Sequence, residues 1–138
     1  MGMHIGTPIG GGAHSTYDRY GVKTFLGNDT FITNVSVMCE ILIVGGGAGG
    51  RSHIGGLSGA GGGGTVIHHP GLVVTPGAYT ITIGAGGAPN TDGSATTAFS
   101  QTATGGGVGG AAAGGNGGNG GGAACVFGPT TYYAGGTG

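Results

Sequence analysis

The stretch EILIVGGGAGG, Glu40 to Gly50, runs an apolar strand directly into glycine, and the fold turns on what that glycine is for. Its spacing, G-x-G-x-x-G over Gly45 to Gly50, matches a dinucleotide fingerprint, in which glycines let the backbone approach a pyrophosphate at the start of a helix. The helix is missing. RSHIGGLSGAGGGGTV follows, with seven glycines and no run of helix formers. About twenty residues on, where an acidic group would meet the ribose, the chain reads HHPGLVV. Lys23 is the only lysine and no Gly-Lys pair exists, so no Walker loop can form either. Nucleotide binding is set aside, and the glycine needs another explanation.

There are 41 glycines in 138 residues. Ordering each backbone costs roughly 1–2 kcal/mol, glycine loses more freedom than any other residue, and its side chain returns no buried apolar area. Composition alone thus argues for disorder, but disordered chains are poor in aromatic and β-branched residues and rich in charge. This chain has nine aromatic residues and clear strand patterns. Collagen is excluded, because no strict G-X-Y period runs through the chain and only five prolines are present. The glycine falls in recurring runs at 45–50, 59–64, 84–87, 105–110, 114–122 and 135–136. Polyglycine has one regular alternative to coil, the left-handed polyproline-II-type helix with three residues per turn and about 3.1 Å rise. Such helices have no internal hydrogen bonds, but without Cβ atoms their backbones approach closely enough to exchange bonds with one another. The runs are therefore expected to pack as a lattice, with flexible linkers as the alternative.

Between the runs the chain reads as short strands. Lys23–Leu26 and Thr30–Thr33 flank Gly27-Asn28-Asp29, a cluster that suits a hairpin. From Val35 to Val44, Val37, Cys39, Ile41 and Ile43 make one apolar face while Met38, Leu42 and Val44 line the other, which predicts a central strand. Leu72–Thr75 and Ala78–Ile83 are separated by Pro76-Gly77, the signature of a type II turn, and Tyr79, Ile81 and Ile83 form the expected core face. The fold class that follows is all-β: short antiparallel strands in a small β-sandwich combined with packed polyglycine helices, and essentially no α-helix.

Three basic and four acidic residues leave no basic footprint for nucleic acid. A surface so poor in charge cannot rely on repulsion for solubility, and short strands alone offer little to offset the glycine, so a homo-oligomer, as a trimer or repeating array, is expected. MGMHIGTPIG shows neither the basic n-region nor the apolar h-region of a signal peptide, and the longest apolar segment, VSVMCEILIV, is about half a membrane span. Cys39 and Cys125 have no metal-type spacing; two buried thiols or a disulfide both fit.

The inventory for catalysis is thin. His4, His14, His53, His68 and His69 with Asp18, Asp29, Glu40 and Asp92 form no triad and no HExxH. His68 and His69, adjacent at the start of a strand, point to opposite faces and cannot jointly grip one metal without help from other ligands. GGAPNTD misses the calcium-binding G-G-x-G-x-D repeat because Pro89 stands in place of glycine. No enzyme, metal or cofactor is expected.

The order TFITNVSVMCEILIVGGGAGG, GAGGGGTVIHHPGLVVTPGAYTITIGAGG, GSATTAFSQTATGGGVGG resembles the glycine-rich domain of bacteriophage tail-fibre and tail-tip proteins over residues 24–122. Glu40–Gly50, Val74–Gly87 and Ala98–Gly110 carry the likeness. It implies a virion protein: a tail-fibre, tail-tip or surface-decoration component whose partners are copies of itself, other virion proteins and a host receptor. The rival expectation is a self-assembling extracellular glycine-rich structural protein with no receptor role. Residues 1–22, which include HSTYDRY, read as an attachment segment and 23–138 as the glycine-rich β/polyglycine domain. Contacts with a receptor or partner then fall to the links between glycine runs: Arg51 and His53, Asn90 and Asp92, and Phe127 with Tyr132 and Tyr133. Tyrosine offers a large rigid surface with a polar tip.

Overall fold

The computed structural model describes residues 3–8, 20–52, 58–110, 113–123 and 134–138, with backbone alone for 3–8 and 20. Eight strands run in chain order: β1 Met3–Pro8, β2 Tyr20–Phe25, β3 Asp29–Thr33, β4 Val37–Val44, β5 Val66–Val74, β6 Gly77–Ile81, β7 Thr96–Ala98 and β8 Gln101–Ala103. A four-stranded antiparallel sheet has the order β2-β1-β4-β5. Opposite it lie the pairs β3-β6 and β7-β8, linked by a bridge between Thr82 and Thr97. The described chain is all-strand, with no α-helix among the described residues. Residues 3–8 of the expected attachment segment form the strand between β2 and β4.

The core lies between these sheets. Phe25, Cys39, Ile41, Ile43 and Val74 come from the four-stranded sheet, and Ile81, Ala98 and Ala103 come from the other wall. The expected inward face of β4 is therefore the observed one, as is that of β6, where Ile81 is buried and Tyr79 and Ile83 pack partly against the core. β4 is central in its sheet, but Met38 and Leu42 on its other face stand exposed. Among the described residues, the sheet is covered on one side.

The two expected turns do something different from closing hairpins. β2 pairs with β1 and β3 with β6, so Gly27-Asn28-Asp29 carries the chain from one sheet to the other. Asn28 Oδ1 there accepts Ile83 N (2.8 Å) and Asp29 Oδ1 accepts Thr30 N (2.7 Å). Pro76-Gly77 likewise crosses between sheets. Gly77 begins β6, and its φ lies outside the left-handed region that a type II turn needs. Each strand finds a longer ladder elsewhere, nine-residue β5 along eight-residue β4. That ladder shifts register between Cys39 and Ile41, where Pro70 and Gly71 oppose Glu40 alone. Proline has no N–H for the ladder, which accounts for a bulge at that point of an edge strand.

The β7-β8 turn is unusual because Phe99 and Ser100 hold φ of 49° and 61° with no glycine. Two positive φ values fit the right-handed twist of a two-residue hairpin, but a phenylalanine there is strained. Its ring compensates by packing against Tyr79 (centroids 5.1 Å apart) and edge-on to Phe31 (5.8 Å).

Beyond the strands the glycine segments run side by side, bonded backbone to backbone with a period of three. Gly45, Ala48 and Arg51 donate in turn to Thr65, Gly62 and Gly59, whereas Gly46 and Gly49 donate to Ser94 and Thr91. Gly59, Gly62 and Thr65 donate to Gly110, Gly107 and Thr104; Gly107 and Gly110 donate to Asn119 and Gly122. The three-residue repeat sends successive rows of N–H groups to different neighbours, so backbone bonds join the glycine runs where side chains would otherwise intervene. Segment 104–110 sits in the middle, bonded to 45–52, 58–65, 84–95, 113–118 and 119–123. A Cβ built on Gly45, Gly46, Gly49, Gly59, Gly106 or Gly109 would come within 3.0 Å of a neighbouring carbonyl.

Candidate functional site

The register of this bundle sorts its connections into two ends. At one end the segments meet the sheets: Gly45 N bonds Thr65 O (2.9 Å), Thr65 N bonds Thr104 O (2.9 Å), and the buried Thr96 hydroxyl ties the seam together. Thr96 Oγ1 donates to Val44 O (2.7 Å) at the end of β4 and accepts Gly84 N (2.9 Å). At the other end Arg51 N bonds Gly59 O (3.1 Å), Gly59 N bonds Gly110 O (3.0 Å), Gly110 N bonds Gly122 O (3.0 Å) and Gly114 N bonds Ala134 O (3.1 Å). The links 52–58, 88–91, 110–113 and 123–134 therefore all leave from the end remote from the sheets. Only the link 116–119 lies at the sheet end, where Gly118 N bonds Gly105 O and Asn119 N bonds Gly63 O.

Of the sequence-selected contact residues, Arg51, Asn90 and Asp92 are described, and they lie in or beside the turns at the remote end. Arg51 is exposed, held by its backbone, and its guanidinium forms no ion pair among the described residues. Asn90 has φ 68°, and its Oδ1 accepts Ser52 N (2.9 Å). That bond continues the row begun by Gly46 N and Gly49 N, three residues further on. Asp92 Oδ1 accepts Val108 N (2.7 Å), and Asn116 Oδ1 accepts Thr137 N (2.9 Å). Each of these side chains supplies the acceptor that the neighbouring backbone cannot where a segment turns away. His53, Phe127, Tyr132 and Tyr133 lie outside the described residues, as does Cys125. The segments that carry them start and stop at this end, with Gly122 bonded to Ala60 O on one side and Ala134 accepting from Gly114 on the other.

Sequence reasoning selected Asn90 and Asp92 for recognition and missed their part in closing the bundle. It also missed Thr96, Asn28 and Asn116. An Asx residue next to a glycine run was the available signal, because only such residues carry a short acceptor to a turn.

Elsewhere the chemistry is spare. No group of three or more His, Cys, Asp or Glu could hold a metal among the described residues. Cys39 is a buried free thiol, and burial pushes its pKa up. His68 and His69 do point to opposite faces: His68 Nε2 bonds Glu40 Oε1 on the outer side of the sheet (2.7 Å), while His69 turns inward with a buried Nδ1 that has no partner.

A family model described as a glycine-rich domain matches residues 23–138, and the chain belongs to that family. Neither a curated protein nor a solved structure matches the chain.

Proposed function

With membership of the glycine-rich domain family as the premise, we propose that the chain is a non-catalytic virion component, a bacteriophage tail-fibre, tail-tip or surface-decoration module. In this reading the sheets form the assembly end and the remote links form the end that meets a host receptor. One observation supports it: the turn 88–91 and the described residues that flank 53–57, 111–112 and 124–133 lie at a single end of the bundle, joined by rows of backbone bonds that lead away from the strands. A recognition surface needs side chains of free sequence on a rigid support, and backbone bonding supplies the support without fixing what the links contain. The resemblance of the strand and glycine blocks to phage tail-fibre domains supports this choice of class. No metal, cofactor or nucleic acid takes part, and its partners are copies of itself, other virion proteins and a surface receptor.

The test has two arms. Antibody labelling of the chain in electron micrographs places it at a fibre tip or on the virion surface. Purified protein competes with whole phage for adsorption, and Arg51→Ala combined with Tyr132→Ala and Tyr133→Ala removes that competition while leaving the circular dichroism spectrum unchanged. Competition unaffected by the triple variant overturns the receptor role.

The second reading, a self-assembling extracellular structural protein with no receptor role, is favoured by a different feature, the exposed apolar outer face of the four-stranded sheet. Labelling along a filament or matrix would decide for it.

A further inference from the structure

Of the eight large apolar side chains that stand exposed among the described residues, five, Val22, Met38, Leu42, Val66 and Val73, lie on the outer face of one sheet. The register places them in rows across β2, β1, β4 and β5. Met38 is opposite Val73, Val44 opposite Val66, and Leu42 opposite His68. Val22 and Glu40 flank Gly6, a position with no side chain beyond hydrogen, and Thr24 and Leu42 flank His4. Rows are about 4.8 Å apart across strands and about 6.8 Å along them, so the set forms one patch. Its exposed apolar area is roughly 450 Å², in the middle of the range of about 300–600 Å² for the largest patch on a typical monomer, and patches of that size are often functional.

We infer that this outer face is the contact between two copies of the chain, which pair sheet to sheet about a two-fold axis. The inference rests on reading the chain as an assembling structural protein and names the surface involved. Three features select a second copy as the occupant. First, the area is right: two such faces with their polar margins remove above about 1,000 Å² from water, the range of a specific interface. Second, the charges are complementary to themselves. Glu40 and His68 are the charged or titratable side chains described on this face, already bonded to each other at 2.7 Å. A two-fold axis sets the pair of one copy antiparallel to that of the other, so each carboxylate approaches the partner's imidazole. Third, with three basic and four acidic residues in the whole chain, little opposes a like partner. A single self-complementary face closes after two copies, in contrast to the trimer or array expected from composition. Two twisted sheets packed this way keep their strands roughly aligned and stack about 10 Å apart.

Sedimentation of the full chain tests this. The wild type is expected at twice the chain mass of 12.8 kDa at micromolar concentration. Met38→Lys and Val73→Lys, at positions 63% and 64% exposed, are expected at the chain mass with an unchanged circular dichroism spectrum. Leu26→Lys, 77% exposed and off this face, stays dimeric. A monomeric wild type, a trimer or larger closed assembly, or a dimer that survives both lysine variants overturns the inference. If the lysine variants fail to fold, peroxide oxidation of wild-type Met38 decides: it slows at least tenfold from dilute to concentrated protein if the face is covered, and equal rates overturn the pairing. Adsorption competition by the monomeric variants separates the two proposals, since its retention leaves the receptor role intact and its loss does not restore a dimer.

Discussion

Alanine at two neighbouring glycines should have opposite effects, and the contrast tests the backbone lattice directly. A Cβ on Gly46 falls within 3.0 Å of Ala85 O, at 2.8 Å from Ala85 C and 3.0 Å from Ser94 N. That is where Gly46 N donates to Ser94 O (2.8 Å) and Ser94 N donates to Ala85 O (2.9 Å). Gly46 is buried, and both contacting groups are backbone, so neither can rotate away. Opening the gap weakens both bonds, at about 1–3 kcal/mol for each group left unsatisfied, with about 1–3 kcal/mol of overpacking strain besides. Gly46→Ala is thus expected to lose at least about 3 kcal/mol. A Cβ on Gly47 meets nothing nearer than Gly62 O at 3.7 Å, and its φ is outside the left-handed region. There alanine restricts the unfolded chain and is expected to stabilise by about 0.4–1 kcal/mol. Thermal and urea unfolding followed by circular dichroism reads both, with Tm falling by about 10–15 °C for Gly46→Ala and rising slightly for Gly47→Ala. Valine at Gly46, or at Gly117 where Gly107 N and Gly106 C stand in the way, should prevent folding. Equal melting of the two alanine variants would refute the lattice.

Thr96→Val keeps the shape but strands Gly84 N and Val44 O at the seam, and a loss of about 2–4 kcal/mol in urea unfolding is expected, against about 1 for Thr96→Ser. Ser100→Gly relieves a residue at φ 61° and should raise stability by about 1 kcal/mol in the same assay. Asn90→Ala removes the Ser52 acceptor and places alanine at φ 68°, costing about 1–2 kcal/mol, whereas exposed Arg51→Ala stays within about 0.5. Burial raises the Cys39 pKa above its ordinary value of 9.0, so the folded state favours the neutral thiol. The stability this gives is whole below the unfolded pKa and is lost as pH climbs through it toward the folded one. Unfolding free energy should therefore fall above about pH 9, and Cys39→Ala should flatten that slope.

The strand faces were legible because a buried face repeats every second residue, and Val37, Cys39, Ile41 and Ile43 keep that period without interruption. The glycine lattice was legible for a different reason. Runs of residues without Cβ that alternate with strand segments too regularly for linkers leave backbone bonding as the available source of order. Which strand pairs with which was not legible. Gly27-Asn28-Asp29 and Pro76-Gly77 have hairpin chemistry, but that chemistry constrains only local dihedrals, and the longer β4-β5 ladder outweighs the short hairpin that Pro76-Gly77 would close. The same limit applies to the candidate site. Side chains such as Asn90 and Asp92 look identical in sequence whether they face a partner or close a row, since in both cases they are short acceptors at a turn.

These observations separate what holds the molecule together from what is free to vary. Cβ atoms are excluded within much of the bundle, where the contacting atoms are carbonyls and amides, and side chains matter chiefly where a row ends: Thr96 at the sheets, Asn90, Asp92 and Asn116 at the turns. An exposed residue such as Arg51 contributes its backbone N–H to the lattice and nothing else among the described contacts. Exchange of its side chain therefore changes the surface at little cost in folding, whereas exchange of Asn90, which bonds the residues on either side of Arg51, removes an acceptor the lattice uses. A scaffold bonded through its backbone can carry new link sequences in a way that a side-chain core cannot, because packing in a core couples each substitution to its neighbours. That decoupling is the physical property a recognition end would need.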